Sequence, residues 1–456
     1  MKALKVILIA VTVLITVAII FTGVGLYLAN RYVQSPAFKA QVLATANQEL
    51  GSDVRIDELH ASLFSGVTLR GVTIGNPKDF PGNLLTADAF VLRYRLLPLL
   101  RRRVEIEQLS LDKPVVTLSQ NDRGKWNYEK IGAKESEAAP PGPTPPPRTV
   151  RAAKPQAATL LDIVLSKLAI TRGAVSLVSE KNKLLMRTEG IDFSSSVSFA
   201  DGKLAGAGKT SFDRVNVADA LFVQQLAAPV AIAADRIKLV PLSGKIADGV
   251  VTGEVALQLM PEFKYMVNLQ VKDSDMAKLL AEARTKQVMT GRLGVTASLE
   301  GTGGLPTIDG HGRVEIKDGQ LMEIPVLNLL ASLLQIEVLR NLRFSECVLE
   351  FSITNNMMQT PVIRLTSPQV QIAGKGSVSL DDYSLNHDMT ISFAKGTLDR
   401  VPEVIRSLFT QRQDGSLALD FRVWGPYNAP KTDLQNRLIK GTAEQLIEKG
   451  LQRFLK

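Results

Sequence analysis

The first hydrophobic pattern in the chain is an uninterrupted apolar run near the N-terminus. Residues 6–29 carry no charged side chain, and about 24 helical residues suffice to cross the roughly 30 Å hydrocarbon layer of a bilayer. Lys2 and Lys5 precede the run, which favours a cytoplasmic N-terminus. We therefore predict a transmembrane anchor over residues 1–30, with the bulk of the chain outside the cytoplasm. A cleaved signal peptide is the alternative, and Tyr27, three residues before a cleavage after Ala29, disfavours it.

The next pattern is helical. Ser35 and Pro36 suit the N-cap and the first helical position, and Gly51 suits the stop. The predicted apolar face of this helix consists of Phe38, Val42, Leu43, Ala46 and Leu50.

From residue 54 onward, apolar positions recur with a period of two, as in strands that bury one face. Several alternating runs show this: Val251, Val255, Leu257 and Leu259; Val267, Leu269 and Val271; Leu293, Val295, Ala297 and Leu299; Cys347, Leu349, Phe351 and Ile353; and Leu417, Leu419, Phe421 and Val423. Asp-Gly pairs begin at positions 201, 248, 309, 318 and 414, and such pairs favour hairpin turns. The pattern predicts a mainly β fold with several helices, built on an elongated, curved antiparallel sheet with an apolar concave face.

Helices interrupt the strands in the second half of the chain. We predict them over residues 275–284 with Ser274 as cap, over 324–342 and over 402–411. A final amphipathic helix over 433–456 begins with Thr432 and Gln435 at capping-box spacing. Its basic residues are Arg437, Lys440, Lys449, Arg453 and Lys456.

A proline-rich segment divides the β pattern. Residues 133–158 contain seven prolines and no apolar periodicity, which is typical of an extended linker. The predicted organisation is an anchor (1–30), an N-terminal β-rich domain (31–132), the linker (133–158), a C-terminal sheet region (159–432) and the final helix (433–456).

Charge and reactive residues narrow the function classes. The net charge is +9, but aromatic residues make up only 5% of the chain and no basic stripe has aromatics between its cations, so we expect no nucleic-acid partner. Cys347 is the only cysteine, so no intrachain disulfide can form, and its place in an alternating run predicts a small core residue.

The sequence contains no legible catalytic or metal motif. His60, His311 and His387 lack metal-ligand spacing, and each is predicted to lie at the surface or in a turn. Gly208-Lys209-Thr210 resembles the end of a phosphate loop, but Lys203 stands where that loop needs a glycine. No Gly-x-Ser-x-Gly elbow occurs. We therefore expect a binding or structural protein, not an enzyme, with no cofactor and no metal.

The apolar sheet face has two interpretations. The protein's own helices cover it as an ordinary core, or part of it stays open and receives lipid acyl chains, for which each methylene moved out of water is worth about 0.8 kcal/mol. Strand parity selects the candidate groove residues Val255, Leu257, Val295, Leu349, Phe351, Leu419 and Phe421.

Several segments, taken in order, carry a family resemblance. Residues 1–132 resemble the N-terminal region of the AsmA family of bacterial envelope proteins, which is related to TamB-like and other bridge-like lipid-transfer proteins. The matching segments after the apolar run are Gly51-Ser-Asp-Val-Arg-Ile56, residues 62–77, Leu109-Ser-Leu-Asp-Lys-Pro114 and Asn121-Asp-Arg-Gly-Lys-Trp-Asn127. Residues 310–319, followed by Ile324-Pro325, resemble the C-terminal part of the family.

The resemblance implies an inner-membrane-anchored periplasmic protein with a folded-over sheet, an apolar groove and no catalytic residues. Its implied role is phospholipid movement or outer-membrane homeostasis, and its implied partners are acyl chains, the inner membrane, and the outer membrane or envelope proteins. A non-transporting scaffold that assists outer-membrane protein assembly through exposed strand edges is the alternative. An anchored periplasmic hydrolase is the third hypothesis.

Overall fold

The computed structural model describes residues 36–62, 66–95, 98, 103–131, 162–181, 183–200, 203–259, 262–286, 288–302, 307–434 and 437. The predicted anchor, the predicted linker and most of the predicted final helix lie outside these residues. Within the described ranges, no helix combines the length and the apolar character that a bilayer crossing requires.

The chain divides into two compact units. Unit 1 consists of Met1–Asp219, Gln224–Val240 and Gln258–Pro261, and unit 2 of Ala220–Val223, Pro241–Leu257 and Glu262–Lys456. Both are built mainly from strands, which confirms the predicted mainly β fold with several helices.

Unit 1 contains one helix and a run of strands. Among the described residues of this unit, the helix is α1 (Pro36–Leu50), and the strands are β1 (Val54–Ser62), β2 (Gly66–Gly75), β3 (Asn83–Arg95), β4 (Arg103–Asp112), β5 (Val115–Ser119), β6 (Asp162–Val178), β7 (Leu184–Ala200) and β8 (Lys203–Val217). Val42, Ala46 and Leu50 are buried along one side of α1, as predicted. The helix ends where Gly51 takes a positive φ of 61° and its N–H bonds to the carbonyl of Asn47.

The sheet of unit 1 is not wholly antiparallel, and in this respect the prediction was wrong. β6 runs parallel to β4 and β5, with Arg103 opposite Asp162 and Val115 opposite Ala174. β4 and β5 follow one another along β6, with a break at Pro114, which has no N–H to donate to the sheet. The chain returns to the same edge through residues 120–161, and parallel neighbours need a long connection of this kind.

A loop after β5 is held by one buried amide. Asn127 begins a short 3-10 helix (Asn127–Lys130) and has no exposed surface. Its Nδ2 donates to the carbonyl of Thr117 and to Oδ1 of Asn76, both at 2.8 Å, while its Oδ1 accepts from the N–H of Ser119 at 3.2 Å. The segment Asn121–Asn127, which the family resemblance singled out, thus ends on a residue that joins β5 to the loop after β2.

Unit 2 contains most of the remaining elements. Two strands, β9 (Leu221–Ala233) and β10 (Arg236–Ile246), contribute residues to both units, and the last residue of β11 (Gly249–Gln258) belongs to unit 1. The other strands are β12 (Lys264–Asp275), β13 (Met289–Thr302), β14 (Asp309–Met322), β15 (Asn341–Thr354), β16 (Met357–Thr366), β17 (Val370–Ser379), β18 (Ser384–Phe393), β19 (Thr410–Gln411), β20 (Leu417–Pro426) and β21 (Lys431–Thr432). The helices that the structure describes in full are α2 (Met276–Glu282), α3 (Pro325–Leu334) and α4 (Glu403–Arg406), with a 3-10 turn at Glu337–Leu339.

The helices of unit 2 are shorter than predicted. α2 is capped by Asp275, whose side chain accepts from the N–H of Lys278, and not by Ser274, whose buried hydroxyl donates to the carbonyl of Ile246. α3 stops at Leu334 because Gln335 takes the left-handed conformation.

The structure also tests the two remaining helix predictions, over residues 402–411 and, at its start only, over 433–456. α4 is a single turn, since the predicted segment 402–411 ends in strand β19. For the final helix, the Oγ1 of Thr432 accepts from the N–H of Leu434, as a cap should, and its residues beyond 437 lie outside the described part.

The Asp-Gly pairs have three different roles. Asp248 and Asp414 lie in turns, as predicted, and Asp309 begins β14. Asp318 lies inside β14 with φ 50°, where the pairing with β13 slips, so this pair marks a bulge and not a hairpin turn. Asp201 lies outside the described residues.

Candidate functional site

The surface that the sequence singled out is one face of the sheet in unit 2. From β12 to β18 every strand pairs antiparallel with the next, and β20 then pairs with β18. Residues directly opposite each other in such pairs point to the same face. The register therefore sorts the apolar face into cross-strand rows, which we number from the end where the helices lie.

Row 1 lies beneath the helices and is closed. Its members are Leu293, Ile316, Cys347, Leu365, Ile372, Ile391 and Leu419. All belong to or pack against one core cluster, which also contains Leu330 and Leu334 of α3 and Phe409. Cys347, predicted as a core residue, is partly buried and packs against this cluster, and burial raises the pKa of its thiol.

Rows 2 to 4 continue the apolar face away from the helices. Row 2 consists of Val271, Val295, Val314, Leu349, Ile363, Gly374, Met389 and Phe421. Row 3 consists of Leu269, Ala297, Gly312 and Phe351, and, beyond a bulge between β15 and β16, of Thr360, Gly376, His387 and Val423. Row 4 consists of Val267, Leu299, Gly310, Ile353, Met358, Val378 and Leu385.

Burial falls along this series of rows. Ile391 in row 1 is 1% exposed, whereas every residue of row 4 is partly exposed and none belongs to either core cluster of the protein. Row 2 is intermediate: Val295 and Met389 pack against the core cluster, and Leu349 and Ile363 do not. The helices thus close one end of the apolar face, while the described residues leave the other end partly open to solvent.

Glycines let large side chains lie flat on this face. A Cβ on Gly312 would collide with the ring of Phe351, and one on Gly310 would come within 2.7 Å of Cδ2 of Leu299. Gly253 of β11 has the same relation to Leu269, at 3.0 Å, which also places the odd-numbered residues of β11 on this face. Side chains that fold over glycines in this way keep the apolar surface low and smooth.

The seven predicted groove residues all lie on the apolar face, but in differently buried places. Val255 and Leu257 of β11, and Leu349 and Phe351 of β15, are partly exposed and lie outside both core clusters. Val295 is partly exposed and packs against the helix-covered core. Leu419 and Phe421 are 9% and 7% exposed and belong to that core. Contact of any of these residues with lipid stays a prediction.

One polar pair interrupts rows 2 to 4. His387 is 7% exposed and Thr360 1%, and the Nε2 of His387 lies 2.9 Å from the Oγ1 of Thr360. The imidazole lies over Gly376, on which a Cβ would come within 2.6 Å of the ring. The prediction that His387 lies at the surface or in a turn was wrong, because a glycine in the neighbouring strand makes room for the ring inside the sheet. His60 and His311 are exposed, as predicted.

Burial of His387 predicts a loss of stability in acid. Burial lowers the pKa of this imidazole from its usual 6.5, and the carboxylate of Asp388 opposes the shift. Below about pH 6.5 the imidazole therefore binds a proton in the unfolded chain but not in the folded one. The free energy of unfolding consequently decreases as the pH falls, by at most about 1.4 kcal/mol per pH unit. Urea unfolding followed between neutral and mildly acidic pH should show this decrease in the wild type, and His387→Gln should reduce it. His311→Gln is the matched control, and an equal reduction in both variants would contradict the assignment.

The opposite face of the same sheet is polar and carries a pocket of about 610 Å³. Its lining contains polar residues of the parity opposite to rows 1–4, namely Thr252, Asn268, Gln270, Thr296, Ser298, His311, Arg313, Glu350 and Ser352, together with Gly253, Leu269, Ala297, Gly312, Phe351 and Pro361. Arg313 and Glu350 form an ion pair at 2.7 Å, and Asn268 bonds to Glu254 and Ser298. Four of the nine polar side chains, those of Arg313, Glu350, Asn268 and Ser298, are thus bonded to polar neighbours. No group of three or more potential metal ligands occurs among the described residues.

The sequence indicates which residues lie on the apolar face, but not which part of that face the helices cover. Alternation gives the parity of each strand, and the pairing register then brings Val295, Leu349 and Phe421 into the same row. Row 4 was missed in part, since Met358 and Val378 lie in short runs without clear alternation. The pair of Thr360 and His387 was missed because only the register of β16, β17 and β18 brings the two residues together.

Comparisons with known proteins bear on the first half of the chain. No significant match was found among curated proteins or among solved structures. The model of the AsmA family matches residues 1–228, which is half of the 456 residues and includes α1, β1 to β8 and the loop that Asn127 holds. The chain therefore belongs to the AsmA family.

Proposed function

We propose that this chain is an envelope protein that shelters phospholipid acyl chains on rows 2 to 4 of unit 2. Family membership and the large β-sheet fit a general envelope role of the lipid-transfer kind. The observation that supports the finer proposal is the fall in burial from row 1 to row 4, because the apolar side chains of row 4 are all partly exposed and belong to neither core cluster. Apolar surface of this extent commonly marks a binding site.

The dimensions suit hydrocarbon. Row 4, whose members are all partly exposed, crosses seven strands, which at about 4.8 Å spacing gives a length of roughly 29 Å. One leaflet of a bilayer contributes roughly 15 Å of hydrocarbon, so an acyl chain fits along a row with room to move. Each methylene that leaves water for this surface contributes about 0.8 kcal/mol, on the order of 10 kcal/mol for a whole chain.

In this proposal the protein works by burial and not by catalysis, with no cofactor. Its N-terminal segment anchors it in the inner membrane, the bulk lies in the periplasm, and the lipid that it binds supports the outer membrane. An envelope scaffold that assists outer-membrane proteins without moving lipid is the competing function, and the same experiment separates the two.

Photo-crosslinking from single positions tests the proposal. A benzophenone side chain at Leu257, Leu349 or Ile353, on the partly exposed apolar face, should give phospholipid adducts in cells. The matched control is the same probe at Lys375, which is exposed on the polar face of β17 and should give none. Equal lipid labelling on both faces, or protein adducts alone, would contradict lipid sheltering, and protein adducts alone would favour the scaffold.

A further inference from the structure

One cross-strand row on the polar face of unit 2 contains no Lys, Arg, Asp or Glu. The register carries this row, which we call the neutral row, across eight strands, β12 to β18 and β20, on the face opposite to rows 1 to 4. It begins at Asn268 and ends at Trp424, and the members between them are Ser298, His311, Ser352, Gln359, Ser377 and Asn386.

The positions on either side of the neutral row are charged. They include Arg313, Glu350, Asp388 and Arg422 on the side of the helices, and Glu300 and Asp309 on the other side. Charged residues make up 22% of the chain, and a face that only meets water has no physical reason to exclude them from one row between two charged rows. The composition of the neutral row therefore points to a ligand without charge.

The middle of the neutral row has hydrogen-bonding groups that the protein does not use. At its ends, Asn268 bonds to Glu254 and Ser298, and Asn386 accepts from Arg422. The side chains in the middle form no hydrogen bond with any other described residue, and all are exposed or partly exposed. These are the side chains of His311, Ser352, Gln359 and Ser377, and each can both donate and accept.

The pocket of the polar face lies on the neutral row. Four members of the row line it, namely Asn268, Ser298, His311 and Ser352. Among the described residues, no member of rows 2 or 4 does so, which places the opening on the polar face. Its volume of about 610 Å³ lies in the usual range of ligand sites, roughly 300–1,000 Å³. The row thus contains a recess and is not merely a flat surface.

The neutral row ends at an exposed indole. Trp424 is 36% exposed and lies opposite Asn386, with Lys431 next to it on the outer side. An indole offers an apolar ring face together with one N–H donor. A ligand that matches the whole row therefore has many hydroxyl or amide groups and also flat apolar surfaces. A pyranose sugar has both, since its hydroxyls lie around a ring whose faces consist of C–H groups.

Two other kinds of chain molecule fit the neutral row less well. Nucleic acids need cations at their phosphates, and the row has none. A peptide typically adds to a sheet at a strand edge, where main-chain groups are available, whereas this row crosses the middle of a sheet whose strands are already paired. The length of the row, roughly 34 Å at about 4.8 Å per strand, suits a chain of sugars better than a single one.

We propose that the neutral row binds an extended glycan chain of uncharged sugars. The hydroxyl, amide and imidazole side chains bond to sugar hydroxyls, and Trp424 stacks on one sugar ring. The inference is independent of the proposed lipid sheltering, because it concerns the opposite face of the sheet. If both hold, one face of unit 2 shelters hydrocarbon while the other attaches the protein to a polysaccharide.

Tryptophan fluorescence tests the proposal without changing the neutral row. The chain has two tryptophans, so Trp126→Phe makes Trp424 the sole reporter. The full-length protein, held in phosphatidylcholine nanodiscs, is titrated separately with hexamers of N-acetylglucosamine, of glucose and of galacturonic acid, the last of which is anionic. We expect at least one neutral hexamer to shift the emission to shorter wavelength in a saturable manner and to reduce quenching by acrylamide.

The anionic hexamer is the comparison for charge and should leave the emission of Trp424 unchanged. An emission that both neutral hexamers leave unchanged overturns the proposal. A shift of equal size with the anionic hexamer overturns it as well, because the row would then not select an uncharged ligand.

Calorimetry of the neutral hexamer with a row variant provides the second measurement. The variant combines His311→Ala, Gln359→Ala and Trp424→Ala, which alter exposed side chains and should leave the urea midpoint near that of the wild type. We expect the affinity to fall about tenfold or more, and tenfold is equivalent to about 1.4 kcal/mol. Equal affinities of this variant and the wild type would overturn the proposal.

A matched control removes similar side chains outside the neutral row. It combines Lys317→Ala, Gln371→Ala and Tyr383→Ala, which are a cation, an amide and an aromatic ring, all exposed and all in unit 2. Its affinity for the hexamer should equal that of the wild type. A loss as large as in the row variant would show that the glycan does not lie along the neutral row.

Discussion

Glutamate in place of Leu257 should leave unit 2 folded and suppress lipid adducts at Leu349, whereas glutamate in place of Phe421 should unfold unit 2. Leu257 is partly exposed and outside both core clusters, so a carboxylate there can reach water. The same charge makes contact between an acyl chain and this part of the apolar face unfavourable. Phe421 is 7% exposed within the helix-covered core. An unpaired charge buried there costs about 4 kcal/mol or more, a large part of a typical domain's stability.

Two measurements check this contrast. In urea unfolding, the midpoint of Leu257→Glu should be close to that of the wild type. The midpoint of Phe421→Glu should fall to a much lower urea concentration, or the variant should be unfolded without urea. Cross-linking from Leu349 should then give several-fold fewer lipid adducts in the folded Leu257→Glu protein. Leu257→Ala removes the side chain without adding charge and serves as the control, with adducts largely retained. Undiminished adducts in Leu257→Glu would show that lipid does not pass this position.

Replacement of Asn127 by alanine should strongly destabilise unit 1. Asn127 has no exposed surface and makes three hydrogen bonds, to Ser119, Thr117 and Asn76. Alanine leaves these three partly buried partners without this bond, at about 1–2 kcal/mol apiece, in the lower part of the usual range. We therefore expect a loss of about 3–6 kcal/mol in the free energy of unfolding, against a total of about 5–15 kcal/mol for a typical domain.

Chemical denaturation, with a probe in unit 1 such as the emission of Trp126, measures this loss. Asn216→Ala is the matched control, because Asn216 is partly exposed and bonds only to Asp219 at a turn. The control should change the free energy of unfolding by less than about 1 kcal/mol. Similar values for the two variants would show that the buried amide does not hold the loop as the structure indicates.

Local patterns in the sequence were enough to predict most of the fold. Period-two alternation predicted the strands of unit 2, and the helical face of α1 followed from Val42, Ala46 and Leu50. The parallel pairing of β6 could not be predicted, because it depends on where the chain returns after residues 132–161. The early end of α3 was missed because Gln335, which carries no Gly or Pro signal, adopts the left-handed conformation.

The candidate site was predictable to the level of the face. Parity placed Leu349 and Phe421 on it correctly, yet one is partly exposed and the other belongs to the closed core. That difference arises from α3 and from the chain around Phe409, which pack on one end of the rows only. Packing between distant segments has no local sequence signature, so the partly exposed end of the apolar face could be found only from the structure.

The glycines beneath Phe351, Leu299 and Met389 bear on how easily a bound tail can travel. An ordinary sheet face is corrugated, since each strand raises a crest of side chains about every 4.8 Å across its width. Here the large side chains of Leu299, Phe351 and Met389 lie over glycines, which have no Cβ. The face is therefore less corrugated at Gly310, Gly312 and Gly374. If the proposed lipid sheltering holds, a hydrocarbon tail that crosses from strand to strand therefore meets few raised side chains that would hinder its movement.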